Sequence, residues 1–292
     1  MQNKTPLQAL AFELRLSWSF IWRDLSTTML PALLFMAAAL KTRADLSAPA
    51  LTLALLKWAL YFWLYIYTFC LADQIAGVEE DRINKPDRPI ASGLVTRPGA
   101  VRRWCLYSLI FLVAGALFGV AHWALLWLLA SVLHNFCGWD KNWFTKNNVV
   151  MPLGFLAEVG AAWQLVAPLS PIAWRWLVVG ALVVSMTAAI QDFRDVRGDR
   201  LTGRRTLPIV LGDHRARLVM CLSFASMCLL MHVALWGGSG LKGILCDLWF
   251  CGLALYICGR LLIYRTARAD DTTYMVYTYW YCSILASAVV II

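Results

Sequence analysis

The stretch DQIAGVEEDRINKPDRPIASG, Asp73 to Gly93, follows a long apolar run with no gradual transition. It has a counterpart in QDFRDVRGDRLTGRRTLPIVLG, Gln191 to Gly212, which is also charged immediately after an apolar run. Each places acidic residues at helical spacing and basic residues just downstream. Acids suit a divalent cation and bases suit phosphate oxygens, so the pair points to a site that holds a metal against a phosphate or diphosphate.

The rest of the chain sets the solvent. Of 292 residues 61% are hydrophobic and 15% charged, with mean hydropathy +0.64, which excludes a soluble domain and makes lipid the solvent for most of the surface. The net charge of +9 falls in short segments between apolar runs, as expected of loops on the cytoplasmic side of a membrane. No basic stretch is long enough to track a nucleic-acid backbone, so nucleic-acid binding is set aside. The nine cysteines include no C-x-x-C pair and read as small buried residues, neither a disulfide framework nor a zinc site. The N-terminus carries no removable signal pattern. Leu7, Leu10, Ala11, Leu14, Trp18, Ile21, Trp22 and Leu25 recur at i, i+3, i+4, so residues 1–24 are expected to form a helix in the membrane interface.

Apolar runs able to cross a bilayer at about 1.5 Å per residue fall near 25–41, 50–72, 102–120, 122–138, 149–168, 172–191, 217–236, 241–262 and 273–292. The expectation is a single all-α integral membrane domain, 1–292, with nine transmembrane helices around a central cavity. With a cytoplasmic N-terminus, the connections 73–101, 139–148, 192–216 and 263–272 share one side and carry most of the Lys and Arg. Only Lys41 and Arg43 run against this trend. Both acidic stretches then face the cytoplasm, in the endoplasmic reticulum if the protein is eukaryotic and in the inner membrane if bacterial. A faint repeat, Asp81-Arg82-Ile83 against Asp199-Arg200-Leu201, suggests two halves facing one cavity.

If the second span continues past Asp73, then Asp73, Glu80 and Asp81 lie within about 100° of one another; Asp192, Asp195 and Asp199 lie within about 60°. These six are the candidate metal ligands, and Mg²⁺, which combines one or two carboxylates with substrate phosphates, suits them. Lys85, Arg88, Arg194, Arg204 and Arg205 are positioned to take the remaining phosphate oxygens. Of the acids, Asp81, Asp192, Asp195 and Asp199 are the expected catalytic set.

These residues carry a resemblance to the UbiA superfamily of intramembrane prenyltransferases, whose fold is nine spans around a central cavity. The family's second motif, D-x-x-D-x-x-x-D before G-x-R-T-x-P, stands here as Asp192, Asp195, Asp199, Gly203, Arg205, Thr206 and Pro208. D-R-x-N-x-P-x-R-P is also intact from Asp81 to Pro89. The family's N-D-x-x-D-x-x-x-D is altered: Asp73 replaces Asn, Gln74 and Gly77 replace the first two aspartates, and only Asp81 is kept, beside Glu80. That altered motif looks like the UbiA-type terpene cyclases. The resemblance implies an Mg²⁺-dependent enzyme that ionises and cyclises a C15 or C20 isoprenyl diphosphate; the alternative is prenyl transfer to an aromatic or other small acceptor. It also implies substrate contact near Asn135 and near Lys141 or Lys146.

Other residues bear on the same question. Glu158 lies inside the fifth span, where an ionisable group is costly, and is a candidate cation stabiliser or base, or a packing residue. Tyr61, Trp63, Tyr65 and Tyr67 in the second span, and Tyr274, Tyr277, Tyr279, Trp280 and Tyr281 in the last, could offer aromatic faces to a cation or could mark the interface. His134 and His232 read as structural. A lipid or ion transporter is the competing class, although transporter sites sit near the midplane and these acids cluster at span ends. Oligomeric state is left open.

Overall fold

The computed structural model describes residues 5–292; residues 1–4, the start of the expected interfacial segment, lie outside the described residues. Its elements are helical: α1 Pro6–Ile21, α2 Leu25–Lys41, α3 Ala48–Ala76, α4 Val78–Asn84, α5 Arg97–Leu117, α6 Ala121–Phe136 and α7 Met151–Gln164 in the first part. These are followed by α8 Pro171–Thr187, α9 Asp192–Leu201, α10 Leu207–Leu211, α11 Asp213–Met231, α12 Leu241–Ile263 and α13 Ala267–Ile291. Thr5 starts α1 with a capping box: its hydroxyl accepts from the Gln8 N–H, and the Gln8 side chain accepts from the Thr5 N–H.

Among the described residues nine helices close into a ring by neighbour contacts, in the order α2, α3, α5, α6, α7, α8, α11, α12, α13 and back to α2. Because lipid tails are as apolar as leucine, such a ring is held by close packing of small residues against large ones. Gly160 on α7 and Gly180 on α8 show this directly. A Cβ at Gly160 would lie 2.6 Å from the Trp123 ring, and one at Gly180 would lie 2.3 Å from the Phe155 ring. Trp163, Trp176, Trp236 and Trp280 fill the core between the later helices. Leu56, Leu109, Leu222 and Leu255 point outward, each more than half exposed, as lipid-facing residues do.

The expected nine spans are met only in part. By length and apolarity six helical stretches qualify among the described residues, or seven if the bent α1–α2 pair counts as one. The others fall short because α6 and α7 have only 16 and 14 residues. Gly138, at φ +73°, turns the chain shortly after α6, and a π-helical segment, Thr145–Val150, precedes α7. The N-terminal stripe also divides: Leu7, Leu14, Trp18 and Trp22 are exposed, whereas Ile21 turns inward with Leu16 and Phe20 against α3. Helix α1 meets α2 at 93°.

The four connections expected to share a side do meet at one end of the ring. Arg204 (192–216) pairs with Glu80 (73–101) and Asp140 (139–148), and Arg194 pairs with Asp271 (263–272).

Candidate active site

The site is built where α3 ends. The α3 helix continues past Asp73 but ends before Glu80 and Asp81, so the three acids do not share one continuous helix. It stops at Ala76, the Gly77 N–H donating back to the Asp73 carbonyl at 2.8 Å, and the chain restarts as α4. Glycine is a poor helix former, and this break re-aims the acids. Asp73 and Asp81 converge on a single guanidinium, that of Arg88, at 2.8 and 2.9 Å. These carboxylates hold Arg88 charged well above its ordinary range, although burial opposes it. Glu80 points the other way, toward the second motif, with its carboxylate 3.0 Å from Arg204.

In the second motif a short 3₁₀ segment, Ala188–Gln191, leads into α9. Asp192 is fully buried; it accepts from the Lys146 ammonium at 2.6 Å and from the Asn147 amide at 3.1 Å. Asp195 faces the cavity beside Arg194. Asp199 is buried, with one oxygen 3.4 Å from Arg204 and the other, Oδ2, without a hydrogen-bond partner. Past α9 the chain turns back through Gly203 at φ +71°, a left-handed conformation that favours glycine. The Arg204 N–H then donates to the Asp199 carbonyl at 2.8 Å, and the side chain spans Glu80, Asp140 and Asp199. These three acids raise Arg204 against the opposing effect of burial.

Both motifs open into one cavity of about 300 Å³. Its mouth carries Asp24, Asp73, Glu80, Asp81, Asp140, Asp195, Lys85, Arg88, Lys146, Arg194 and Arg204. Its depth is aromatic, lined by Tyr65, Phe69, Trp127, Phe155, Tyr277 and Tyr281. Tyr65 and Trp127 stack with centroids 4.0 Å apart and planes at 5°. Glu158 also lines the cavity and is buried, with its Oε1 lacking a hydrogen-bond partner.

Sequence reasoning placed several residues differently. Asp192 and Asp199, buried beside Lys146 and Arg204, and Asn135, Lys141 and Arg205 do not line the cavity. Asn135 donates to the Ser131 carbonyl of its own helix. Lys141 and Arg205 are exposed, and their backbones pair with each other across the loop. Lys146, not Lys141, reaches the second motif. His134, read as structural, lines the cavity with Nδ1 unpartnered. Of the aromatic residues singled out, Tyr65, Tyr274, Tyr277 and Tyr281 face the cavity, whereas Tyr61, Tyr67 and Trp280 pack in the core and Tyr279 is exposed. Asp24, at the α1–α2 junction, had no motif to mark it. It lines the cavity, and burial pushes its carboxyl up, offset in part by Arg88.

The donor set fits Mg²⁺. The carboxylates of the two motifs, with Asp24 and Asp140, outnumber the five bases around the mouth, so an anion entering alone would meet excess negative charge. Among the described residues no three His, Cys, Asp or Glu side chains form a ready-made cage. Mg²⁺ accepts that arrangement, since it binds through one or two carboxylates and completes its shell with water and phosphate.

A ring of membrane helices around a cavity that is charged at its mouth and aromatic within defines an intramembrane site for a ligand with an anionic head and an apolar tail. The chain belongs to the UbiA prenyltransferase family, whose sequence profile matches residues 28–282. It is 38% identical over 94% of its length to somaliensene A/B synthase of Streptomyces somaliensis, covering 92% of that protein. It is likewise 38% identical over 95% of its length to diterpene cyclase eriG of Hericium erinaceus (88% covered). Polyprenyl transferase eriF of the same fungus is 34% identical, with 94% of each chain covered. Its fold matches that of a UbiA homolog from Archaeoglobus fulgidus solved with GPP and Mg²⁺, at TM-score 0.66 and 12% identity, over 94% of this chain and 99% of that one.

Proposed function

We propose that the protein is an Mg²⁺-dependent membrane terpene cyclase that ionises a C15 or C20 isoprenyl diphosphate, cyclises the resulting cation and releases pyrophosphate. The observation that carries this reading is the continuity of one cavity from a charged mouth to an aromatic interior. Within the site the bases are engaged by acids: Arg88 by Asp73 and Asp81, Lys146 by Asp192, Arg204 by Glu80, Asp140 and Asp199. A diphosphate arriving with divalent counter-ions exchanges these pairs, the bases turning to phosphate oxygens through charge-assisted hydrogen bonds. Lys85, Arg88, Arg194 and Arg204, with Lys146, then hold the charge that develops on the leaving group as its C–O bond breaks. Asp73, Glu80, Asp81, Asp192, Asp195 and Asp199 are the proposed Mg²⁺ ligands, the metal supplying Lewis-acid stabilisation of the departing diphosphate.

The allylic cation left behind faces Tyr65, Phe69, Trp127, Tyr277 and Tyr281, whose ring faces attract positive charge by about 0.5–2 kcal/mol per contact. Glu158 stands among them as the group that stabilises or deprotonates the cyclised cation. The membrane arrangement proposed with this reading is one domain over 1–292 with nine spans and the mouth on the cytoplasmic face. Helix α1 would lie in the interface, a position supported by its 93° bend from α2 and its exposed Leu7, Leu14, Trp18 and Trp22.

Transfer of the prenyl group to an acceptor is the second reading, favoured by the likeness to a polyprenyl transferase. Incubation of the purified protein with farnesyl or geranylgeranyl diphosphate and Mg²⁺ alone separates the two. A cyclic hydrocarbon formed without acceptor supports cyclisation; turnover only on adding an acceptor defeats it.

A further inference from the structure

A second cavity, of about 530 Å³, lies on the opposite side of α9, between α9, α11 and the start of α13. Arg197, Arg200, Arg217 and Arg265 line it, and Arg194 borders both this cavity and the first. The acids here are already committed. Asp270 accepts from Arg217 through both oxygens at 2.8 Å, and Asp213 accepts from Arg217 at 2.8 Å. Arg217 is buried beneath the cavity and stacks on Phe193, 4.6 Å from the ring centroid, so it braces the floor. Arg265 makes only long contacts, to the Leu262 carbonyl at 3.3 Å, to His214 Nδ1 at 3.5 Å and to Asp213 at 3.7 Å. Arg197 and Arg200 are exposed, and among the described residues their guanidinium groups make no hydrogen bond or ion pair. The cavity therefore keeps a surplus of positive charge that its own carboxylates cannot neutralise.

Its rim is apolar. Leu201, which lines it, is 65% exposed, and Ile263, two residues before Arg265, is 71% exposed; both end stretches long and apolar enough to span a membrane. Arginine next to lipid-facing aliphatic side chains marks headgroup depth, and basic pockets between membrane helices suit phosphate-bearing headgroups. The planar guanidinium fork matches phosphate oxygens in pairs.

We propose that the cavity lined by Arg197, Arg200 and Arg265 is an anion site, separate from the first cavity, that binds a phosphate group carried by an anionic lipid head or free in solution. Because Arg194 is shared, its occupant also competes for the side chain that pairs with Asp195. The binding claim does not depend on which reaction the first cavity performs.

The test is thermal unfolding of the purified protein in neutral detergent with chelator present. Phosphatidylglycerol, phosphatidylcholine and inorganic phosphate are titrated separately into wild type and into the Arg197→Gln, Arg200→Gln, Arg265→Gln triple variant. With each arginine worth about 1 kcal/mol near a charged membrane surface, the triple variant is expected to bind the active probe about 100-fold more weakly. Stabilisation by phosphatidylglycerol alone identifies the lipid head; stabilisation by inorganic phosphate identifies the free anion. Loss of that stabilisation in the variant upholds the site in either case. Equal stabilisation of variant and wild type, or no advantage of either anion over phosphatidylcholine, overturns it. Should the variant not fold, the wild type alone decides: binding of the active probe must weaken as salt is raised, and salt-independent binding defeats the proposal.

Discussion

Arg204 sets its guanidinium 3.0 Å from the carboxylate of Glu80, a residue 124 positions earlier in the chain, and so joins the two acidic motifs across the mouth of the cavity. The same side chain reaches Asp140 and Asp199. Replacing it with Gln should lower pyrophosphate release by about 10²–10³-fold, the usual loss when one donor to a developing anion is removed. Arg204→Lys should recover part of that loss, because the charge returns without the fork. Both are read from steady-state rates, with circular dichroism as the check on folding.

Lys146 and Asp192 form a pair whose carboxylate is fully buried. Asp192→Ala strands the ammonium and should cost about 3–5 kcal/mol of stability. The double variant Asp192→Ala, Lys146→Met should regain most of that stability while remaining inactive. Denaturation midpoints and turnover measured side by side separate the structural share of this pair from the chemical one.

Glu158→Gln keeps shape and removes the ionisable group, so the protein should remain folded, with stability changed by no more than about 1 kcal/mol. The expected effect is on product identity: substrate is still ionised, but the hydrocarbon mixture shifts. Mass spectrometry of the extracted products decides this, and an unchanged mixture would remove Glu158 from the reaction.

The Gly180 contact with Phe155 links helix packing to the cavity. A Cβ there meets the ring at 2.3 Å, and Phe155 lines the chamber. Gly180→Ala should therefore destabilise by about 1–3 kcal/mol through overpacking and alter the ratio of products, although no group that touches the diphosphate has changed. Product ratios compared with those of wild type at equal protein concentration test this.

Much of this arrangement is legible in the sequence because it depends on local pattern. The apolar runs locate the helices, and the abrupt onset of charge after Ala72 and Ile190 locates the mouth. Helical periodicity also places Asp192, Asp195 and Asp199 on one helix, α9, although of the three only Asp195 lines the cavity. What the sequence hides depends on distant segments meeting. Asp24 enters the cavity only because α1 and α2 bend around α3. Lys146 rather than Lys141 reaches Asp192 because a π-helical segment resets the facing of that loop. The one-face expectation for Asp73, Glu80 and Asp81 fails at Gly77, where the helix ends. Arg88 gathers two of those acids and Arg204 takes the third.

The ring closes by α13 lying against α2, and the Lys41 ammonium donates to the Val289 carbonyl at 2.6 Å across that seam. Tyr274, Tyr277 and Tyr281 of α13 also line the chamber, so the helix that closes the ring is at the same time one wall of the cavity, and a substitution that loosens the α2–α13 seam reaches the chamber without touching either acidic motif.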